Sequence, residues 1–312
     1  MTTIEQVVEA VTPRVARKPR RRRPKFRDTW WRHCVGILAA IFALFPVAYI
    51  LSAAFSSTAT LTGARLIPRH ITLDNFRTLF NTNVSGSSSQ ASAHYVRWLL
   101  NSMIVAGTAA VLSVLLSAFA AYAFSRFRFR GRRLGMLALL LIQMFPQLLL
   151  VVAIYLIVLK TGDVFSVLGL NHLTALIVVY LGGAMGVNTW LMKGFFDTIP
   201  SELDESARVD GATPAQVFWG VVLPLATPVL AVTALISFVG AINEFVIASA
   251  LLQTTQRFTL GVGMQSYIDQ KYAEHWGPFA AGVLLAAIPV VILFVFLQRY
   301  IVSGLTAGSV KG

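Results

Sequence analysis

Apolar residues run for about twenty or more positions at a time along this chain, with polar stretches between them. The runs fall near residues 34–55, 98–124, 134–159, 172–192, 228–251 and 279–302. Each supplies the ~20 residues that an α-helix needs to cross a bilayer core, and each far exceeds the ~10-residue alternating strands of an outer-membrane barrel. The pattern predicts an all-α integral membrane bundle with six transmembrane helices. The first run follows a basic stretch as a secretory leader would. It is too long for a leader's apolar segment and five more runs follow, so it reads as an uncleaved first span.

Composition agrees, with 56% hydrophobic and 12% charged residues, against roughly 25% charged in an ordinary soluble domain. Charge then orients the bundle. With the N-terminus inside, residues 1–33, 125–133, 193–227 and 303–312 share one side. Counting Arg299, which can snorkel there, that side holds 19 of the 26 basic residues and the other side holds 7. This is the bias of the positive-inside rule, and it places both termini in the cytoplasm.

The net charge of +13 and the run "RKPRRRRPKFR" at 17–27 raise nucleic acid as a partner. Position favours a topology anchor on anionic membrane lipid, at about 1 kcal/mol per basic residue near the surface, so no nucleic-acid partner is expected. Residues 1–33 form a basic tail expected to be disordered over most of its length. Residues 34–302 form the six-span domain and residues 303–312 a cytoplasmic tail. The lone Cys34 leaves no disulfide to form within the chain. Of the outer loops, the Ser-rich "NTNVSGSSSQASA" at 81–93 reads as a flexible segment. "QTTQRFTLGVGMQSYIDQKYAEHWGP", which mixes aromatics with polar residues, is expected to fold back toward the membrane.

One inner segment, residues 197–224, stands apart. It gathers Asp197, Glu202, Asp204, Glu205 and Asp210 within fourteen residues of a chain that has only 13 carboxylates besides its terminus. Ser201 with Asp204 three residues on resembles a capping box with Asp in place of Glu or Gln. A short helix is expected there, closed by Gly211 in left-handed geometry. Thr213 followed by Pro214 predicts a second short helix ending near Pro224, and Thr227 with Pro228 repeats the signal at the mouth of the fifth span. Small residues at Ser206, Ala207, Gly211 and Ala212 permit close approach of another body. Docking element and solvated loop both remain open on these residues alone.

"DESARVDGAT" followed by "LP" resembles the EAA loop of binding-protein-dependent ABC importer permeases. The likeness continues through "AYAFSRFRFRG", "IQMFPQ", "YLGG", "LPL", "FTLGVGMQSY" and the terminal "GLTAGSVKG". Together these make the chain similar to MalG-type permease subunits of maltose/maltodextrin ABC importers. That resemblance implies an ATPase-coupling joint at Glu205, Ser206, Ala207, Asp210 and Gly211, with Ser206 where the family has a second alanine. It implies a second ATPase contact at Leu305, Thr306, Ala307, Gly308 and Lys311, with Ser309 in place of a glycine. It implies as partners a MalF-like second permease, a homodimeric MalK-like ATPase that binds ATP and magnesium, and an extracytoplasmic sugar-binding protein.

The chain itself carries no G-x-x-x-x-G-K-[ST] phosphate loop. His33, His70, His94, His172 and His275 are scattered without metal-ligand spacing. No catalytic site, cofactor or metal is therefore expected in this polypeptide. Within the fifth span, Asn243 and Glu244 lie at membrane depth, where a charge costs several kcal/mol. Glu244 reads as a pathway-lining group, a structural pair within the bundle or a silent protonated acid. Pro146 is expected to kink the third span, with Gln143 and Gln147 beside it, either lining a pathway or aiding packing. Gly182 and Gly186 give a G-x-x-x-G spacing read as helix packing. Related permeases carry trehalose, other oligosaccharides or glycerol phosphate, so the solute stays open. A secondary transporter, the rival class, would carry several deep charges and inverted repeats, and neither is evident.

Overall fold

The computed structural model describes residues 26–57, 67–68, 70–80, 94–268 and 276–307. Most of the basic tail, the Ser-rich segment 81–93 and the end of the C-terminal tail, with Gly308, Ser309 and Lys311, lie outside the described residues. The chain divides into two units, residues 1–48 and 49–312. In the first, α1 (Phe26–Phe55) begins; its last turns belong to the second unit. Its large apolar side chains, Leu38 and Phe42 among them, are exposed, as a lipid-facing surface would be.

In the second unit, α2 (Asp74–Phe80) precedes the long helix α3 (Tyr95–Arg126). Then come α4 (Arg132–Met144), α5 (Gln147–Val164) and α6 (Leu173–Phe196). The segment after α6 forms α7 (Ser201–Val209) and α8 (Pro214–Val217). A π turn over Phe218–Val222 carries α8 into a last helical turn at Leu223–Leu225. The chain finishes with α9 (Thr227–Asn243), α10 (Val246–Leu251), α11 (Leu260–Gln265) and α12 (Trp276–Ala307). Five of these helices, α1, α3, α5, α6 and α12, are long and apolar enough to cross a membrane. The sixth candidate is a pair bent by 78°, Pro214–Leu225 with Thr227–Asn243. The all-α bundle expected from the apolar runs is therefore observed.

Three local expectations fail for identifiable reasons. The run at 134–159 is not one kinked helix. It stops at Met144 and restarts at Gln147, with Phe145 and Pro146 extended, because proline lacks an N–H and also disfavours helical geometry in the residue before it. The run at 228–251 likewise ends at Asn243, with Glu244 extended and α10 a separate piece. The cap expected at Thr227 is displaced by one residue. Ala226 holds the N-cap position, while the Thr227 hydroxyl donates back to the Pro224 carbonyl at 2.6 Å.

Helix α3 organises the second unit, packing along both α6 and α9. Three buried clusters follow its length. The first gathers Tyr95 and Trp98 with Leu260, Met264 and Tyr267. The second joins Val105 and Ala109 to Tyr180, Ile247 and Leu251. The third joins Ala118, Ala121 and Tyr122 to Phe196, Val217 and Phe218. Between the last two lies a polar clip. Asn188 Nδ2 donates to Ser113 Oγ at 2.8 Å and to Ser237 Oγ at 2.7 Å, all three residues buried. One side chain thereby ties α6 to α3 and α9, since a buried amide donor must be satisfied within the bundle.

The loop after α10 does fold back. Trp98 Nε1 donates to the Thr255 carbonyl at 2.7 Å, and Asn101 Nδ2 donates to those of Gln256 and Phe258. The Ser102 hydroxyl accepts from the Leu260 amide at 2.7 Å. These donors and acceptors share one stripe of α3 at i, i+3 and i+4. They satisfy an otherwise irregular backbone, which membrane-depth burial requires.

Candidate functional site

The acidic segment is built on the ends of α3 and α6. Asp197 closes α6 as its C-cap, and its carboxylate accepts a hydrogen bond from Ser125 Oγ at 2.7 Å and from Lys193 Nζ. Burial raises the Asp197 pKa, but the hydrogen bonds from Lys193 and Ser125 and the charges of Lys193 and Arg132 outweigh it, leaving the carboxyl below its ordinary range. One residue along α3, Arg126 Nη2 donates to the Ile199 carbonyl at 3.0 Å.

Helix α7 starts directly after Pro200, which takes the N-cap position. The capping box expected of Ser201 and Asp204 does not form. Asp204 instead turns inward, where its Oδ2 lies 2.7 Å from Arg126 Nε. Asp204 is only 3% exposed, and its Oδ1 has no hydrogen-bond partner. With the charges this close and water nearly excluded, the attraction far exceeds that of a surface pair. Asp204 gains more from Arg126 than from the helix start.

The far end of α7 matches expectation. Gly211 adopts φ +87. Its N–H donates to the Arg208 carbonyl, and the Ala212 N–H donates to that of Ala207 at 2.9 Å, the paired bonds of a Schellman motif. A side chain at Gly211 would meet no neighbouring atom within 4 Å, so backbone conformation rather than space demands glycine here. Thr213 then caps α8 as expected, with Gln216 completing a capping box. The second helix runs past its expected end, through the π turn to Leu225, because Pro224 falls early enough in the last turn to be tolerated.

The five carboxylates therefore divide. Asp197 and Asp204 are engaged by the chain's own Ser125, Lys193 and Arg126, while Glu202, Glu205 and Asp210 are exposed. Glu202, Glu205, Ser206 and Val209 follow an i, i+3, i+4, i+7 spacing, which places them on one face of α7. That face is free among the described residues, and Val209 is 87% exposed. Ala207 lies on the opposite side, half-buried with Ala212 against the Phe196 and Phe218 cluster. Sequence reasoning missed Ser125 and Arg126. Their signal was a hydroxyl and a guanidinium closing an otherwise apolar span just where the acidic segment had to return.

The other candidate residues sit elsewhere. Glu244 occupies the break between α9 and α10. Its Oε2 accepts from the Tyr180 hydroxyl at 2.6 Å and from the Ala248 amide at 3.0 Å, and its Oε1 from the Ile247 amide at 2.8 Å. The carboxylate thus caps α10 and fastens it to α6. Asn243 is exposed at the end of α9. Gln143 donates to the Gly183 carbonyl at 2.9 Å, and it is Gly186 that gives it room, since a Cβ there would lie 2.5 Å from Gln143 Nε2. Gly182 meets nothing, so the G-x-x-x-G spacing is used at one end only. Pro146 is exposed between α4 and α5. Leu305, Thr306 and Ala307 continue α12 as helix. Among the described residues no group of His, Cys, Asp and Glu is arranged to hold a metal.

Known proteins share this architecture. The profile of the family described as "Binding-protein-dependent transport system inner membrane component" matches residues 113–306, which include the α7 segment and the whole of α9 to α11. The maltose/maltodextrin transport system permease protein MalG of Vibrio vulnificus (strain YJ016) is 41% identical over 292 residues, covering 92% of this chain and 97% of that one. The galactooligosaccharides transport system permease protein GanQ of Bacillus subtilis (strain 168) is 38% identical over 273 residues, covering 88% and 92%. Among solved structures, a bacterial ABC transporter involved in the import of the acidic polysaccharide alginate matches with a TM-score of 0.71 at 23% identity. That match covers 89% of this chain and 99% of the other.

Proposed function

This chain belongs to the family of inner membrane components of binding-protein-dependent transport systems, and we propose that it forms half of the translocation pathway of an ATP-driven sugar importer. It is an ABC importer permease, a multi-pass protein of the cytoplasmic membrane. The observation that carries the finer reading is the exposed face of α7, Glu202, Glu205, Ser206 and Val209, mounted on α3 and closed by the Gly211 turn. A short helix held rigidly from behind and bare in front is what a docking joint requires.

In this reading, α7 faces the cytoplasm and seats in a separate ATPase. Glu205 and Asp210 offer charge to its basic groups, Ser206 close approach, and Gly211 the turn. Ala207 serves from within, packing α7 against its own bundle. ATP closes the ATPase pair, the docking helices follow, and the permease halves exchange inward- and outward-facing states, an equilibrium that nucleotide and the loaded binding protein bias. Both termini are cytoplasmic, and the tail from Leu305 onward reaches the ATPase. The second half of the pathway is a similar permease chain. Maltose or a maltodextrin is the proposed solute, with galactooligosaccharides the nearest alternative; both follow the named activities of relatives. Glu244 holds the broken span together at this pathway's wall rather than binding the sugar, since all its bonds are already made within the chain.

The test is to tag the chain, solubilise native membranes gently and identify what co-purifies by mass spectrometry. A second permease and an ATPase bearing a phosphate loop are expected. A chain that purifies alone and supports uptake without ATP would overturn the proposal.

A further inference from the structure

We propose that the Arg126–Asp204 pair locks α7 to the end of α3, so that a displacement applied to the bare face of α7 carries α3 with it as one body. The inference rests on the reading of α7 as the docking helix. Asp204 is the one residue of α7 that is fully buried, and its carboxylate meets Arg126 at 2.7 Å. The same guanidinium holds the Ile199 carbonyl just before α7, and Arg208 near its end turns back to the Tyr122 hydroxyl of α3. Apolar contact behind the helix is thin, resting on the half-buried Ala207 and on Ala212 beyond the turn. Small flat residues permit sliding. A buried charge pair does not, because neither partner can exchange the other for water without a large desolvation penalty.

Stability alone is a poor account of such a pair, since apolar residues of similar volume often replace buried ion pairs without loss. What the charges add is register: one position of α7 on α3 and no other. Because α3 packs along both α6 and α9, a body that includes α7 and α3 engages the middle of the bundle. Arg126 and Asp204 are therefore positioning residues that act through α3 and touch no solute.

The experiment measures whether the two helices move together. In the complex purified from native membranes with its partner chains, the single cysteine Cys34 is replaced by Cys34→Ser. Spin labels are placed through Ser201→Cys on α7 and Val111→Cys on α3, both exposed positions. Their separation is read by pulsed spectroscopy with and without ATP and magnesium. With the pair intact the separation is expected to stay constant on adding nucleotide. In Asp204→Asn, and in the doubly apolar Arg126→Met/Asp204→Leu, it is expected to shift or broaden by more than ~2 Å, the scale of helix movements at interfaces. The apolar variant leaves no lone charge, so it assembles even where the Asn variant does not. A nucleotide-dependent shift with the pair intact, or a constant separation in the apolar variant, overturns the inference and leaves the docking role of α7 standing. An unaltered complex that contains no ATPase overturns both.

Discussion

Arg126 Nε lies 2.7 Å from Asp204 Oδ2, with both side chains almost wholly withdrawn from solvent. One residue ends the longest described helix of the second unit and the other sits 78 positions later in the acidic segment, so the contact fixes where that segment returns. Arg126→Ala should leave the Asp204 charge buried without a counter-ion. It is expected to cost about 3–5 kcal/mol of stability, read as a lowered midpoint in thermal unfolding of the detergent-solubilised chain. The doubly apolar variant should lose far less.

Gly211→Asp places a side chain where φ is +87. Space is not limiting, since nothing lies within 4 Å, so the cost is the backbone strain of about 1–3 kcal/mol, which opens the Schellman turn. Membrane insertion and total yield should be unchanged, and the ATPase should no longer co-purify. Normal co-purification would remove the turn from the docking joint.

Glu244→Gln exchanges one acceptor oxygen for a donor that faces backbone N–H groups. Three hydrogen bonds meet at that carboxylate, and an unsatisfied buried group costs about 1–3 kcal/mol. Complex yield and thermal midpoint should fall by that measure, with transport per surviving complex retained. Altered transport at full yield would instead place Glu244 on the solute path.

A methyl group at Gly263 would stand 2.1 Å from the Trp98 ring. Trp98 is buried and tied to the Thr255 carbonyl, so Gly263→Ala must move the loop or the indole, at about 1–3 kcal/mol. Gly107→Ala, on the same α3 and with open space around it, should stabilise by about 0.5–1 kcal/mol. Intrinsic tryptophan fluorescence and thermal scans distinguish the two.

Asp197 carries a pH signature. Its carboxyl titrates below the ordinary value of 3.8 in the folded chain, so the unfolded chain takes up the proton first as pH falls. The stabilisation is complete above 3.8 and drains away as pH drops through the lower folded value. Asp197→Asn should flatten the acid limb of a plot of unfolding midpoint against pH. An identical limb in both proteins would show that the Lys193 and Ser125 contacts contribute nothing.

Much of the fold is legible in residue order. Length and apolarity predict the spanning helices, because a bilayer core tolerates backbone polar groups only in helices or closed barrels. Gly211 and the Thr213–Pro214 pair also read correctly, since turns and caps depend on neighbours within four residues. What misled was the same locality applied too far. Ser201 and Asp204 satisfy a capping pattern, yet the aspartate went to Arg126. Pro146 was expected to bend a helix that in fact stops, and Glu244 to sit within one.

The sequence by itself determined the number and apolar character of the spans, the family and the site of the acidic loop, all of which follow from composition and short-range pattern. Only the tertiary structure decided which carboxylates remain free. Asp204 and Asp197 are no more apolar than Glu202 and Glu205, and nothing in their neighbours distinguishes them. The distinction comes from Ser125 and Arg126, more than seventy residues earlier, which the packing of α3 against α6 brings beneath the loop, and a carboxylate near a buried cation turns inward while its neighbours stay in water.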